Sequence, residues 1–145
     1  SCLSSVFLWS KFDSITFKAS AEGGHLMQAV LLISHGSRSP VTINEVSSLV
    51  NELKVRTNIP IFEYAFLEVA EPGIERGVEI CVQKGATEVV ILVSFLNSGR
   101  HVSKDIPEIV ESVRQKYPHV RFRLSQPIGL HKNIADLYID LIDHA

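Results

Sequence analysis

Residues 28–34, Gln-Ala-Val-Leu-Leu-Ile-Ser, form an unbroken apolar run instead of an alternating one, the pattern of a strand covered on both faces of a parallel sheet. A loop from His35 to Pro40 follows, and then Val46, Leu49, Val50 and Leu53 recur at helical spacing, which predicts an amphipathic helix ending near Asn58-Ile59-Pro60. Ile61–Leu67 is rich in β-formers and predicts a second strand. Pro72 opens a helix whose buried stripe is Ile74, Val78, Cys81 and Val82, and Gly85 stops it. Thr87–Ser94 predicts a third strand, the most buried by its pattern. A loop from Phe95 to about Lys104 then leads into a helix striped by Ile106, Ile109, Val110 and Val113, with Asp105 and Glu108 at the spacing of a capping box. Tyr117-Pro118 ends that helix, Val120–Ser125 predicts a fourth strand, and Ile134, Leu137, Tyr138, Leu141 and Ile142 stripe a terminal helix.

The order βαβαβαβα requires parallel strands joined by right-handed crossovers, giving an open, flavodoxin-like α/β sheet with helices on both faces. Every strand-to-helix loop then lies on one edge, where open α/β sheets bind ligands. Residues 1–26 stand apart: six serines, three of the seven Phe and the only Trp, without periodic apolar spacing, ending at Gly23-Gly24. They read as a leader, either a tag, a targeting remnant or a disordered appendage, so the domain is expected at 27–145.

With 145 residues there is length for one core, and 46% hydrophobic with 21% charged residues excludes disordered and fibrous classes. A net charge of −2 gives no broad footprint for nucleic acid, and no window reaches the length of a membrane span. Cys2 and Cys81 lack CxxC partners, so a thiolate metal site is not expected and a reducing cytoplasm suits the chain. Cys81 falls on the apolar stripe and reads as core.

Three ligand-grade side chains fall on the binding edge: His35 after the first strand, Glu68 after the second and His101 after the third, each thirty-three residues from the next. In a strand order of 2-1-3-4 the three converge over the first strand, because neighbouring strands stand about 4.8 Å apart. One histidine after a strand is most simply a solvated loop residue; three donors after successive strands need a different account. Two imidazoles and a carboxylate suit Fe²⁺, Co²⁺, Ni²⁺ or Zn²⁺ better than Mg²⁺ or Ca²⁺. His25, His119, His131 and His144 read as solvated. Ser34, Gly36, Ser37, Arg38, Asn97, Ser98, Gly99 and Arg100 add donors, two cations and closely approachable backbone, a set that suits an anionic, carboxylate-rich ligand. The stretch from Ser34 to Ser37 also sets hydroxyls beside an imidazole, but the G-x-S-x-G elbow of a serine hydrolase is missing.

Residues 31–38 (Leu-Leu-Ile-Ser-His-Gly-Ser-Arg), 66–72 (Phe-Leu-Glu-Val-Ala-Glu-Pro) and 99–107 (Gly-Arg-His-Val-Ser-Lys-Asp-Ile-Pro) together resemble the short class II sirohydrochlorin chelatases of the CbiX/SirB type, across essentially all of 27–145. The resemblance implies insertion of Co²⁺, Fe²⁺ or Ni²⁺ into sirohydrochlorin, an eight-carboxylate tetrapyrrole, on the way to cobalamin, sirohaem or a nickel cofactor. It implies no permanent cofactor, since the divalent metal is a substrate, and it implies a homodimer, since short members match one half of two-lobed chelatases. By motif position, His35 and His101 match the family's metal-site histidines and Glu68 its acidic partner. A Cys-rich iron–sulfur segment, found in the plant form, has no counterpart here, and residues 1–26 lie outside the family pattern. A carrier that binds tetrapyrrole or metal without catalysing insertion would use the same pocket.

Overall fold

The computed structural model describes residues 26–145; the expected leader, with His25 and Cys2, lies outside the described residues apart from Leu26. Four parallel strands, β1 (Gln28–Ser34), β2 (Ile61–Phe66), β3 (Glu88–Val93) and β4 (Arg121–Leu124), form one sheet in the order β2-β1-β3-β4. The helices are α1 (Pro40–Arg56), α2 (Ile74–Gln83), α3 (Ile106–Lys116) and α4 (Ile134–Asp143). A π-helical turn, His101–Asp105, runs directly into α3, and a 3₁₀ turn, Ile128–Leu130, precedes α4.

The pleat divides β1 between two cores. Ala29, Leu31 and Ile33 join Val78 and Cys81 of α2 and Val110 and Val113 of α3 on one face. Gly77 lets α2 sit directly on the sheet there: a Cβ at that position would lie 2.8 Å from a methyl of Leu31. Val30 and Leu32 pack with Val50 of α1 on the other face. Cys81 is fully buried, and desolvation pushes its thiol from an ordinary 9.0 up to about 12. At the end of the sheet remote from the loops, buried Glu88 is held by Gln28, Arg121 and Arg123.

Three expectations need correcting. The most buried strand is β1, with five consecutive buried residues; β3 is only half-buried at Val90 and Leu92, because the second face carries α1 over β1 and β2 and is thinly covered over β3. Leu49 faces outward, 42% exposed, so the buried side of α1 is narrower than its spacing suggested. Among the described residues the apolar stripe of α4 packs on no core: Ile134 is half-buried, and Leu137, Tyr138, Leu141 and Ile142 are all exposed, none below 52%. Among the described residues no helix is long and apolar enough to cross a membrane.

Candidate metal centre

The carboxyl ends of β1, β2 and β3 are brought level by the sheet register, in which Ser34 pairs with Phe66 and Ile33 with both Ala65 and Val93. Parallel pairing continues past the strands: Leu67 N–H donates to the Ser34 carbonyl at 2.9 Å, and Glu68 N–H to that of His35 at 3.1 Å. His35 and Glu68 are thus fixed to one another by backbone before their side chains interact.

Gly36 makes this approach possible. Its φ of +111° is open to glycine, and a Cβ there would stand 1.8 Å from the Glu68 carbonyl oxygen. That same carbonyl accepts from Ala70 N–H at 2.8 Å, closing a three-residue turn around Val69, whose φ of +56° is rare for a β-branched side chain. Strained backbone therefore sits immediately beside the candidate ligand Glu68.

His101 reaches the site from a helix start instead of the loop expected there. Val102 and Ser103 N–H groups donate to the Gly99 carbonyl, and Ile106 N–H to that of His101, the wide i+5 bond of a π-turn. The capping box is absent: Asp105 is already helical and its carboxylate caps no N–H. Its Oδ2 instead lies 2.7 Å from Nδ1 of His101.

The three predicted donors meet. Nε2 of His35 is 3.1 Å from Oε1 of Glu68, and the His35 and His101 rings stand 5.9 Å apart at 75°. One ligand atom from each of His35, Glu68 and His101 lies within 4.8 Å of the others, and all three residues are exposed. Two ligands each about 2.1 Å from a tetrahedral ion stand about 3.4 Å apart, so side-chain movements of about 1 Å close the set. The ring of Phe95 backs His35, with centroids 6.0 Å apart. The donor set, two nitrogens and one oxygen open to solvent, suits a borderline divalent cation.

The other singled-out residues occupy the same sheet edge. Ser34 ends β1; Arg38, Asn97, Gly99 and Arg100 are exposed, and Ser98 is half-buried. Nothing packs within 4 Å of where a Cβ on Gly99 would lie. Ser37 Oγ accepts from Ser39 N–H at 3.0 Å, ahead of α1, while the His35 ring meets Glu68, the Gly36 carbonyl and the rings of Phe95 and His101. Sequence reasoning missed Asp105 as a partner of His101. The signal was present as an i, i+4 pair, but a loop assigned there hid it.

Over residues 29–145 the chain matches the model of the CbiX family. It belongs to the CbiX family. A sirohydrochlorin ferrochelatase of Priestia megaterium is 35% identical over 81% of this chain, which spans only 44% of that relative. A sirohydrochlorin cobaltochelatase of Sulfolobus acidocaldarius is 31% identical, with 77% of this chain matched to 86% of that one. The crystal structure of the sirohydrochlorin chelatase SirB from Bacillus subtilis subspecies spizizenii, in complex with cobalt, superposes with a TM-score of 0.73 at 33% identity, over 81% of this chain and 51% of SirB. The matched part of the chain thus spans about half of SirB and less than half of the Priestia enzyme.

Proposed function

We propose that this CbiX-family chain is a sirohydrochlorin chelatase that inserts Co²⁺ or Fe²⁺, with Ni²⁺ a third candidate, into the tetrapyrrole for cobalamin or sirohaem synthesis. The observation that carries this reading is the meeting of His35, Glu68 and His101 on the open edge of the sheet. Relatives named for ferrochelatase and for cobaltochelatase activity support the substrate class and leave the metal to be measured.

Insertion replaces two pyrrole N–H protons by one divalent ion, so the site has to deliver a partly dehydrated metal and accept two protons. His35 and His101 hold the ion and, once it moves into the ring, their freed nitrogens take up the displaced protons. Glu68, beside His35, aids capture of the ion and relays a proton. Arg38 and Arg100 pair with carboxylates of the macrocycle, while Ser34, Ser37, Asn97 and Ser98 and the backbone at Gly36 and Gly99 complete its orientation over the ion. The oxygen of Ser37 is used by Ser39, which leaves its hydroxyl hydrogen for a carboxylate. An exposed site without thiolates holds metal weakly enough to surrender it, as a substrate metal requires.

In this reading residues 27–145 are the catalytic unit, working in the cytoplasm as a homodimer. The apolar face of α4 and the thinly covered sheet surface at Val90 and Leu92 support a second copy as the covering partner, and so does the match to about half of SirB. Anaerobic incubation of the protein with sirohydrochlorin and Co²⁺ or Fe²⁺ tests the function. The expected result is metallation well above the protein-free rate; a rate equal to that control, with bound tetrapyrrole shifted in its spectrum, would make the protein a carrier instead.

A further inference from the structure

Asp105 is one turn along from His101, and its carboxylate oxygen is 2.7 Å from the ring Nδ1. A carboxylate can only accept, so the proton of the neutral imidazole is drawn to Nδ1 and Nε2 is left as the free lone pair. The helix makes no other use of this carboxylate: Asp105 stands at the N-cap position of α3 with helical φ and ψ and no side-chain capping bond. Its backbone belongs to the π-turn that carries His101, closed by the bond from Ile106 N–H to the His101 carbonyl, so ring and carboxylate are presented from one turn. His35 has no carboxylate behind its ring: Glu68, itself a candidate ligand, meets its Nε2 at 3.1 Å. Its Nδ1 faces only the carbonyl of Gly36 at a long 3.4 Å.

We infer that Asp105 is a positioning residue that fixes the tautomer and direction of His101 and makes it the anchoring ligand of the pair, with His35 the more readily released. The inference rests on reading the three donors as a metal site and adds an asymmetry that the donor set does not contain. Outer carboxylates on metal-bound histidines typically contribute 10–100-fold in metal affinity. Orientation requires an acceptor and not a charge, so asparagine, which keeps a carbonyl oxygen, should substitute where alanine cannot.

Two readouts test it. In long-range ¹H–¹⁵N spectra of the metal-free protein at pH 8.5, the proton of His101 is expected on Nδ1 and should become divided between the two nitrogens in Asp105→Ala. In titrations with Co²⁺ alone, Asp105→Ala should bind 10–100-fold more weakly and Asp105→Asn within about threefold of wild type. In the insertion assay Asp105→Ala should raise KM for Co²⁺ while leaving KM for sirohydrochlorin unchanged. A wild-type His101 protonated on Nε2, Asp105→Ala binding Co²⁺ at wild-type strength, or Asp105→Asn as weak as Asp105→Ala would each overturn the inference. His101→Ala in the same titration separates the two levels. If it binds weakly, the metal site stands and only the role of Asp105 falls; if it binds like wild type, the metal site falls as well.

Discussion

Nε2 of His35 and Oε1 of Glu68 lie 3.1 Å apart although thirty-three residues separate them in the chain. Their closeness follows from the backbone bond between Glu68 N–H and the His35 carbonyl, which extends the register of β1 and β2 into the loops. Both side chains are about half exposed, and such a pair contributes only about 0–1 kcal/mol to stability. A pairing that does so little for the fold accords with the proposed role of both side chains as ligands.

Removal of a donor should therefore cost activity and not folding. His101→Ala is expected to lower metallation by at least about 100-fold, with a thermal midpoint within a few degrees of wild type. His35→Ala should behave alike, and Glu68→Ala should keep part of its activity because both imidazoles remain. Anaerobic insertion rates and thermal unfolding, measured on the same preparations, check all three.

Gly36→Ala should cost folding as well as activity. A Cβ 1.8 Å from the Glu68 carbonyl, on a residue at φ +111°, forces the two loops apart. A loss of more than about 1 kcal/mol of stability, together with loss of activity, is expected from denaturant titration and assay of this variant.

Cys81 provides a test by pH. Burial raises its pKa in the fold to about 12, against 9.0 for an unhindered thiol, so between those values the unfolded chain has lost a proton that the native chain keeps. The contribution of Cys81 is present in full below pH 9 and declines as pH rises towards 12. Cys81→Ala or Cys81→Val should flatten the alkaline part of the stability profile, and iodoacetamide should leave Cys81 unmodified in folded protein at pH 8.

The exposed stripe on α4 bears on assembly. Leu137→Glu combined with Leu141→Glu is expected to turn a sedimenting dimer into a monomer, without the loss of sheet structure that a core substitution would cause. A wild-type protein that is fully active and strictly monomeric would contradict the homodimer.

The strands and the first three helices were legible because apolar runs such as Ala29–Ile33 are too short for a helix and are bounded by turn residues, and stripes such as Ile74, Val78 and Cys81 follow the helical period. Convergence of His35, Glu68 and His101 was legible too, since topology alone puts strand ends on one edge. The stripe of α4 was read correctly as apolar but not as uncovered, because periodicity identifies a face without saying what meets it. Asp105 was misplaced for a local reason: an acid ahead of a helix with Glu108 three residues on satisfies a capping pattern, and only the π-turn shows that its carboxylate serves His101. Val69 carries no sequence signal for positive φ, because β-branching argues against it.

The most direct measurement is anomalous diffraction at the cobalt edge from a crystal of this protein soaked in Co²⁺. The expected map places one ion about 2 Å from a nitrogen of His35, a nitrogen of His101 and an oxygen of Glu68, with its remaining positions open to solvent. An ion bound elsewhere, with these three side chains turned away from one another, would contradict the account.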